Sequence, residues 1–436
     1  MNLLQRLRGL SGRQERPLAA TQPGSGRGSG QDTYYTALDA GTEYVKTLIF
    51  QVQGDEGFVV GVGRQRQAPR AMSEGIITDI DAVVDACEQS LQQAEQMAGR
   101  SAPIAVLGIS GELVRGDAVT VTATRADPRV PLAINELEKL IENAQRQAAD
   151  RARRQLSWET GVEQVEIRLV NTAVVSVEVD GHLVTNPLGF QGRRVVLTLF
   201  SAFTTLTQLG ALESVAAQLD LTPLTIVAEP YALARALRET APVEIGAIFL
   251  DVGGGTTDVA LVRRGGIEGA RMLGIGGRTF TRRLAKARNL SGSRAEALKR
   301  RYAAGQLTPH EVTAVRAALV SEIDTWIESL ELALEDLARG AALPPYVYLC
   351  GGGSALPDLA ERLRSHPWVD HLPFTRQPVI ETLHPRDITG ILDKTGLLTT
   401  RQDITPMSLA YQAIEVQNDV SAIEEALYRT AGDLHL

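Results

Sequence analysis

Two short segments, far apart in the chain, carry the residue types that grip a phosphate. Leu38-Asp39-Ala40-Gly41-Thr42 and Leu250-Asp251-Val252-Gly253-Gly254-Gly255-Thr256-Thr257-Asp258 share one plan. Apolar residues that read as a strand end on an aspartate, glycines and threonines follow, and a second β-rich run begins at 45–50 and at 259–262. Glycine lets a backbone approach an anion closely, so such hairpin tips can aim N–H groups and the hydroxyls of Thr42, Thr256 and Thr257 at a polyphosphate. An aspartate in that place would repel phosphate. Its natural task is to hold Mg²⁺, or the waters of that ion, against the phosphates, which nominates Asp39 and Asp251. Lys46 lies four residues beyond Thr42 and can reach the same anion. One Asp-x-Gly-Thr turn alone is commonly structural; together with the run of Gly253, Gly254 and Gly255, poor strand formers at a strand end, it points to nucleotide binding.

Three further segments bear on the same chemistry. Ile226-Val227-Ala228-Glu229-Pro230 ends an apolar strand on a carboxylate. Alone it is a strand–helix junction; beside two phosphate loops, Glu229 becomes a candidate for orienting a water at the γ-phosphate. Cys350-Gly351-Gly352-Gly353-Ser354 follows a strand and precedes a helix. Glycines there leave a flat slot for a base and ribose, with Ser354 near the helix N-terminus. Gly274-Ile275-Gly276-Gly277 offers a second glycine face ahead of a helix bearing Arg282, Arg283 and Lys286, cations that either reach the nucleotide or form a solvated helix face.

The elements that must position these residues alternate. Strand-like runs at 34–50 and 58–62 precede a helix with Val84, Cys87, Leu91 and Ala94 at 3,4,3 spacing. Residues 104–125 read as strands, 132–156 as a charged helix, and 164–179 and 193–203 as β-rich. A helix near 205–219 leads to strand 224–227, and strands 247–250 and 346–349 run straight into the glycine clusters. Residues 276–340 read as mostly helical, with Val320, Ile323, Ile327, Leu330, Leu334 and Leu337 on one face. Strands alternating with helices, and glycines at strand ends, imply an α/β architecture. The 436 residues, 44% of them hydrophobic, suffice for two or more domains and exclude overall disorder. A net charge of −8 gives no basic field for nucleic acid. Two distant cysteines, Cys87 and Cys350, form neither a disulfide framework nor a zinc site and fit a reducing cytosol. No apolar run reaches the roughly 18–20 residues that cross a bilayer.

These segments, DAGTEYVK, VAEP, LDVGGGTTDVAL, LGIGG and LCGGGSALPDLAERL, resemble the actin-like ATPase superfamily and stand in its chain order. Within it the chain looks most like the FtsA family of bacterial division proteins. The discriminating segment is Asn186-Pro187-Leu188-Gly189-Phe190-Gln191-Gly192, similar to an NPLGM-type turn of that family. The resemblance covers roughly residues 33–415 and implies an α/β, two-lobed fold around a nucleotide cleft, with a strand–helix–strand–strand insert in the first lobe. It implies ATP and Mg²⁺ as ligands. Asp39, Gly41, Thr42 and Lys46 then match one phosphate loop, and the run from Asp251 to Thr257 the other. Glu229 matches the connecting carboxylate. Gly351, Gly352, Gly353 and Ser354, with Gly276, Gly277 and Lys286, take the adenosine side. Glu229 and Asp251 are the residues expected to serve a slow hydrolysis. More remotely, it implies filament assembly and partnership with the tubulin-like FtsZ at the membrane.

The corresponding division of the chain is 32–101 plus 204–240 for the first lobe, 102–203 for the inserted interaction subdomain, 241–277 plus 341–417 for the second lobe, and 278–340 for a helical subdomain. Residues 376–408 read as a loop excursion, and Pro406-Met407-Ser408-Leu409-Ala410 lacks the glycine expected at the closing connection. Residues 418–436 form an acidic tail that anionic lipid would repel, unlike the basic amphipathic end usual in FtsA-type proteins. A substitute lies at the start. Residues 17–31 read as a Pro/Gly/Ser-rich linker, and in residues 1–16 Leu3, Leu4, Leu7 and Leu10 fall on one helical arc flanked by Arg6 and Arg8. That is the pattern of a peripheral membrane anchor; the alternatives are a disordered start or a segment docked on its own domain. The expected location is the cytoplasm, peripheral on the inner face of the membrane. Two other functions compete: a PilM-like adaptor of pilus assembly, and a small-molecule kinase of the same superfamily, for which no isolated catalytic aspartate is visible.

Overall fold

The computed structural model describes residues 33–238, 240, 245–418, 426, 427, 429 and 430. The candidate anchor at Leu3, Leu4, Arg6, Leu7, Arg8 and Leu10, and most of the acidic tail, lie outside the described residues. In chain order, the first part comprises strands β1 (Tyr34–Ala40), β2 (Tyr44–Gln53) and β3 (Glu56–Arg66), the short ribbon β4 (Met72–Ser73) and β5 (Ile76–Ile77), helix α1 (Ile80–Ala98) and β6 (Ile104–Ile109). Then follow β7 (Arg115–Thr124), α2 (Ile134–Thr160), β8 (Ile167–Val179), β9 (His182–Leu183), β10 (Arg194–Thr205), α3 (Leu206–Gln218), β11 (Thr222–Ala228) and α4 (Glu229–Ala236). The remainder is β12 (Ala247–Val252), β13 (Thr257–Arg263), β14 (Gly266–Leu273), α5 (Gly277–Arg288), α6 (Gly292–Ala303), α7 (Pro309–Ala338), β15 (Tyr346–Cys350), α8 (Pro357–Ser365), β16 (Val379–Thr382), β17 (Ile391–Asp393) and α9 (Ile404–Asn418).

Two sheets repeat one plan. The first has the order β11-β6-β1-β2-β3-β17, the second β16-β15-β12-β13-β14-β7-β10-β8-β9. In each, two parallel strands flank the first strand of an antiparallel three-strand meander: β11, β6 and β1 with β2 and β3, and β16, β15 and β12 with β13 and β14. The parallel strands are buried on both faces, which is why β6 (IAVLGI) and β12 (AIFLDV) read as continuous apolar runs. The helices carry their own boundary signals. Asp79 caps α1 by accepting the Ala82 N–H, and left-handed Gly99 ends it. Thr308 and Glu311 form a capping box at the start of α7, with Pro309 in its first turn. The face of α7 foreseen from its spacing is buried at Ile323, Ile327, Leu330, Leu334 and Leu337, around the fully buried Trp326, whereas Val320 is 45% exposed.

The insert is the expected strand–helix–strand–strand unit, β7, α2, β8 and β10, with its own core under α2 at Leu137, Ile141, Leu156, Leu197 and Phe203. In sequence it interrupts the first lobe between β6 and α3. In space β7 pairs with β14, so the second sheet runs on into the insert. Two boundaries differ from the expected division. The insert does not begin at residue 102, because β6 sits between β1 and β11 in the first sheet. Nor does all of 341–417 lie with the second sheet: β17 pairs with β3, and α9 packs on α4 and β1. The excursion at 376–408 holds two short strands, β16 and β17, one for each sheet. The range 278–340 is helical throughout its ordered elements, α5, α6 and α7.

Candidate functional site

The two hairpin tips meet at one cavity of about 720 Å³ between the sheets. From the first tip it is lined by Asp39, Gly41, Thr42 and Lys46, and from the second by Asp251, Gly253, Gly254 and Thr256. Glu229, Gly277, Gly351, Gly352 and Gly353 also line it. The repeated plan puts the aspartates at equivalent places, each near the end of the first strand of its meander. Their cross-strand partners differ. Asp39 faces Lys46 on β2, whereas Asp251 faces a second carboxylate, Asp258, on β13.

Around the hairpin tips, buried carboxylates outnumber the cation that stands among them. Asp39, Glu229, Asp251 and Asp258 are all buried, and among the described residues Lys46 is ion-paired with Asp39, at 2.6 Å. Burial works against the Lys46 ammonium, yet Asp39, Asp251 and Glu229 together hold its pKa above the ordinary lysine value. Burial pushes Glu229 well above the usual carboxylate range, and Asp39, Asp258 and Asp251 add to the rise. Asp258 is likewise pushed well up, first by burial and then by the Asp251 charge, and its Oδ1 has no hydrogen-bond partner among the described residues. Asp251 is raised by burial, against a hydrogen bond donated by the Thr405 hydroxyl and the field of Lys46. Buried carboxylates with an unpartnered oxygen are the hard donors Mg²⁺ prefers, so the residues fit that ion. Among the described residues no group of three or more His, Cys, Asp or Glu is arranged to ligate a metal directly. An ion that keeps several of its waters suits Asp39 and Asp251, with Asp258 as a third acceptor.

Close packing explains the glycines. Gly351 follows Cys350, the register partner of Asp251, with φ +80, and a Cβ there would stand 2.0 Å from the Asp251 carboxylate. A Cβ on Gly255 would stand 2.8 Å from the Thr42 hydroxyl, so Gly255 sets the contact between the two tips and does not itself line the cavity. The Gly253 N–H is given to the Thr256 carbonyl, which closes the second tip. The carbonyls of Gly253 and Gly254 accept the N–H groups of Gly277 and Arg278 in the first turn of α5. Those carbonyl dipoles are thereby engaged on the α5 side of the loop.

Several sequence candidates stand elsewhere. The Thr257 hydroxyl, just behind the hairpin tip, donates to the Ile275 carbonyl and accepts from the Trp326 indole N–H, so it is occupied in the core. Gly276 packs on the backbone of Gly255 and Thr256. Lys286 is exposed on α5 and outside the cavity, the solvated helix face given above as the alternative. Ser354 is buried, its hydroxyl donating to the Gly351 carbonyl and shaping the glycine turn from behind.

The fold also brings in groups not singled out from the sequence. Glu296, Lys299 and Arg300 line the cavity from α6. Lys299 donates to the Gly277 carbonyl, the Thr281 hydroxyl and Glu296. Burial opposes the charge of Glu296, but Lys299 and Thr281 hold its pKa below the usual value. Across from them stand Gly352, Gly353 and the segment Thr399, Thr400, Arg401 and Gln402. A carboxylate–ammonium pair can hydrogen-bond a sugar diol, and a glycine wall facing a guanidinium leaves a slot for a planar base. The visible signal for the first group is the spacing Glu296-x-x-Lys299-Arg300, which places these residues on neighbouring turns of one helix.

The chain is similar in sequence and in fold to known proteins. The family model described as cell division protein FtsA matches residues 248–387. The cell division protein FtsA of Neisseria meningitidis serogroup B is 28% identical over 275 residues, which is 62% of each chain. That of Pseudomonas aeruginosa is 25% identical over 382 residues, 81% of this chain and 87% of the relative. Among solved structures, one described as the PilM-PilN type IV pilus biogenesis complex superposes with a TM-score of 0.61 at 19% identity, over 88% of this chain and 99% of that one. The chain therefore has the two-sheet fold of the actin-like ATPase superfamily, with the cavity between its halves. In sequence the chain is similar to cell division protein FtsA.

Proposed function

We propose that the chain is a nucleotide-dependent cytoskeletal adaptor of the FtsA type, which binds ATP with Mg²⁺ in the interlobe cavity and hydrolyses it slowly. The observation that carries this reading is that Asp39 and Asp251, more than 200 positions apart, line one cavity with an excess of buried carboxylates. When bound, Mg²⁺ neutralises those carboxylates and draws the phosphates to them. The Lys46 ammonium stands beside Asp39, within the same cavity, as the cation for a phosphate oxygen. Thr42 and Thr256 present hydroxyl-bearing side chains from the two tips. Glu296 and Lys299 receive the ribose, and the slot between Arg300 and Gly352–Gly353 the base. Glu229 has room at the end of β11 because Gly108 has no side chain; a Cβ there would lie 3.0 Å from its carboxylate. A carboxyl whose pKa burial has raised is a better proton acceptor once ionised, which suits Glu229 to orient and deprotonate one water in a slow reaction.

In this reading ATP mainly stabilises the closed lobes, and the closed form assembles into filaments. The insert is the surface offered to partners, among them a tubulin-like protein of the FtsZ type. Among the described residues no helix is long and apolar enough to cross a membrane. Attachment to the inner face of the membrane would come from Leu3, Leu4, Leu7 and Leu10, flanked by Arg6 and Arg8. Each basic residue contributes about 1 kcal/mol at an anionic surface, so one such segment binds weakly and gains from avidity in a filament. Deleting residues 1–16 should abolish ATP-dependent sedimentation with anionic liposomes and leave ATP binding intact. Liposome binding that survives the deletion would remove the anchor from the reading. The likeness in fold to the PilM-containing complex favours a second reading, an adaptor in pilus assembly, which the same liposome assay with each class of partner separates.

A further inference from the structure

Arg278 bridges the two lobes directly. Its backbone N–H is bonded to the Gly254 carbonyl, which fixes it to the second glycine loop. Its guanidinium reaches across to the first lobe and makes three bonds there: to Glu43 at 2.7 Å, to the Thr42 carbonyl at 2.5 Å and to the Met72 carbonyl at 3.1 Å. Glu43 is held from its other oxygen by Arg66, so the acceptor is itself fixed. The loops beneath are in contact: a Cβ on Gly254 would stand 2.7 Å from that of Glu43. A weaker tie lies alongside, Arg300 on α6 to the Tyr44 hydroxyl on β2 at 3.4 Å. The fork of a guanidinium satisfies three acceptors in one geometry only, so these bonds specify how the loops sit relative to each other.

We propose that Arg278 is a positioning residue, a latch that ties the two glycine loops together across the cleft through bonds within the protein and thereby limits nucleotide exchange. The second half of this statement rests on the nucleotide reading above; the first does not. The chain holds its lobes closed through Arg278 and Glu43, and nucleotide passes in or out when that pair parts.

The test uses the full chain in solution. Cys87 and Cys350 are both buried, so spin labels can be directed to cysteines placed at exposed Gln53 on β2 and exposed Leu332 on α7. Without nucleotide, the native background should give one narrow distance distribution. Arg278→Ala and Glu43→Gln should each broaden it to longer distances, and the double variant should add little to either single one. A distribution unchanged in Arg278→Ala would overturn the latch, whatever the cavity binds. Release of a fluorescent ATP analogue should be at least about tenfold faster from Arg278→Ala than from the native chain, with Arg278→Lys intermediate because it keeps the charge but not the fork. An unchanged release rate from an opened variant would overturn the control of exchange. A native chain that binds no analogue would refute the nucleotide reading and leave the latch to be judged by the distances.

Discussion

At the scale of single residues, the cavity is a place where charge has been concentrated against its own cost. Asp258 shows this best, fully enclosed, opposite Asp251, and with Oδ1 unpartnered. Its pKa and that of Glu229 are raised in the folded chain, so both carboxyls bind protons there that the unfolded chain has already released. Unfolding therefore sheds protons, and the contribution of these groups to stability is full below the unfolded carboxylate range and lost as pH rises towards their folded values. The ligand-free chain should melt at a higher temperature near pH 5 than near pH 8, with a shallower dependence in Asp258→Asn, read by thermal unfolding at several pH values. A dependence of opposite sign would contradict the charge excess. The two threonines of the second tip make a second test. Thr257→Val leaves the Ile275 carbonyl and the Trp326 indole N–H without their partner and should cost about 1–3 kcal/mol of stability, with nucleotide affinity of the folded protein retained. Thr256→Val should do the reverse, weakening nucleotide binding with little loss of stability.

Elements decide which residues meet. The hairpin tips were legible because glycine, hydroxyl and carboxylate types cluster there over a few positions, and Glu229 because an apolar strand ends on it. Glu296, Lys299 and Arg300 were not, since charged residues on a helix resemble any solvated face until tertiary packing turns that face inwards. The segment at 399–402 was hidden for another reason: it belongs to a stretch with little periodicity, and its place in the cavity comes from β17 and α9 returning to the first sheet. The boundary at β6 was readable in principle. Its unbroken apolar run marks a strand buried on both faces, and the alternation of β7 marks one buried on a single face. The missing glycine in Pro406-Met407-Ser408-Leu409-Ala410 is answered by α9 itself, whose buried Ser408 donates to the Ile404 carbonyl while Thr405 reaches Asp251. The contact between the tips gives the prediction at this scale. Gly255→Ala forces a methyl group against Thr42, and should cost about 1–3 kcal/mol in thermal unfolding and weaken nucleotide binding. An Ala variant as stable and as competent as the native chain would mean that the tips do not need to touch.

At the scale of the whole molecule, the fold is one plan used twice, with the two copies set face to face so that equivalent carboxylates share a cavity. The insert and the three helices α5, α6 and α7 differentiate the halves, and the second sheet runs on into the insert. The insert is thus joined to the first lobe in sequence and to the second sheet through the pairing of β14 with β7. All of this depends on the cavity being a site for a metal-bound triphosphate. Isothermal titration of Mg-ATP into the full chain measures that directly. Heat of binding at one site per chain is expected, lost or greatly weakened in Asp251→Ala and on removing Mg²⁺ with chelator. No heat from the folded native chain, or affinity undiminished in Asp251→Ala, would contradict it.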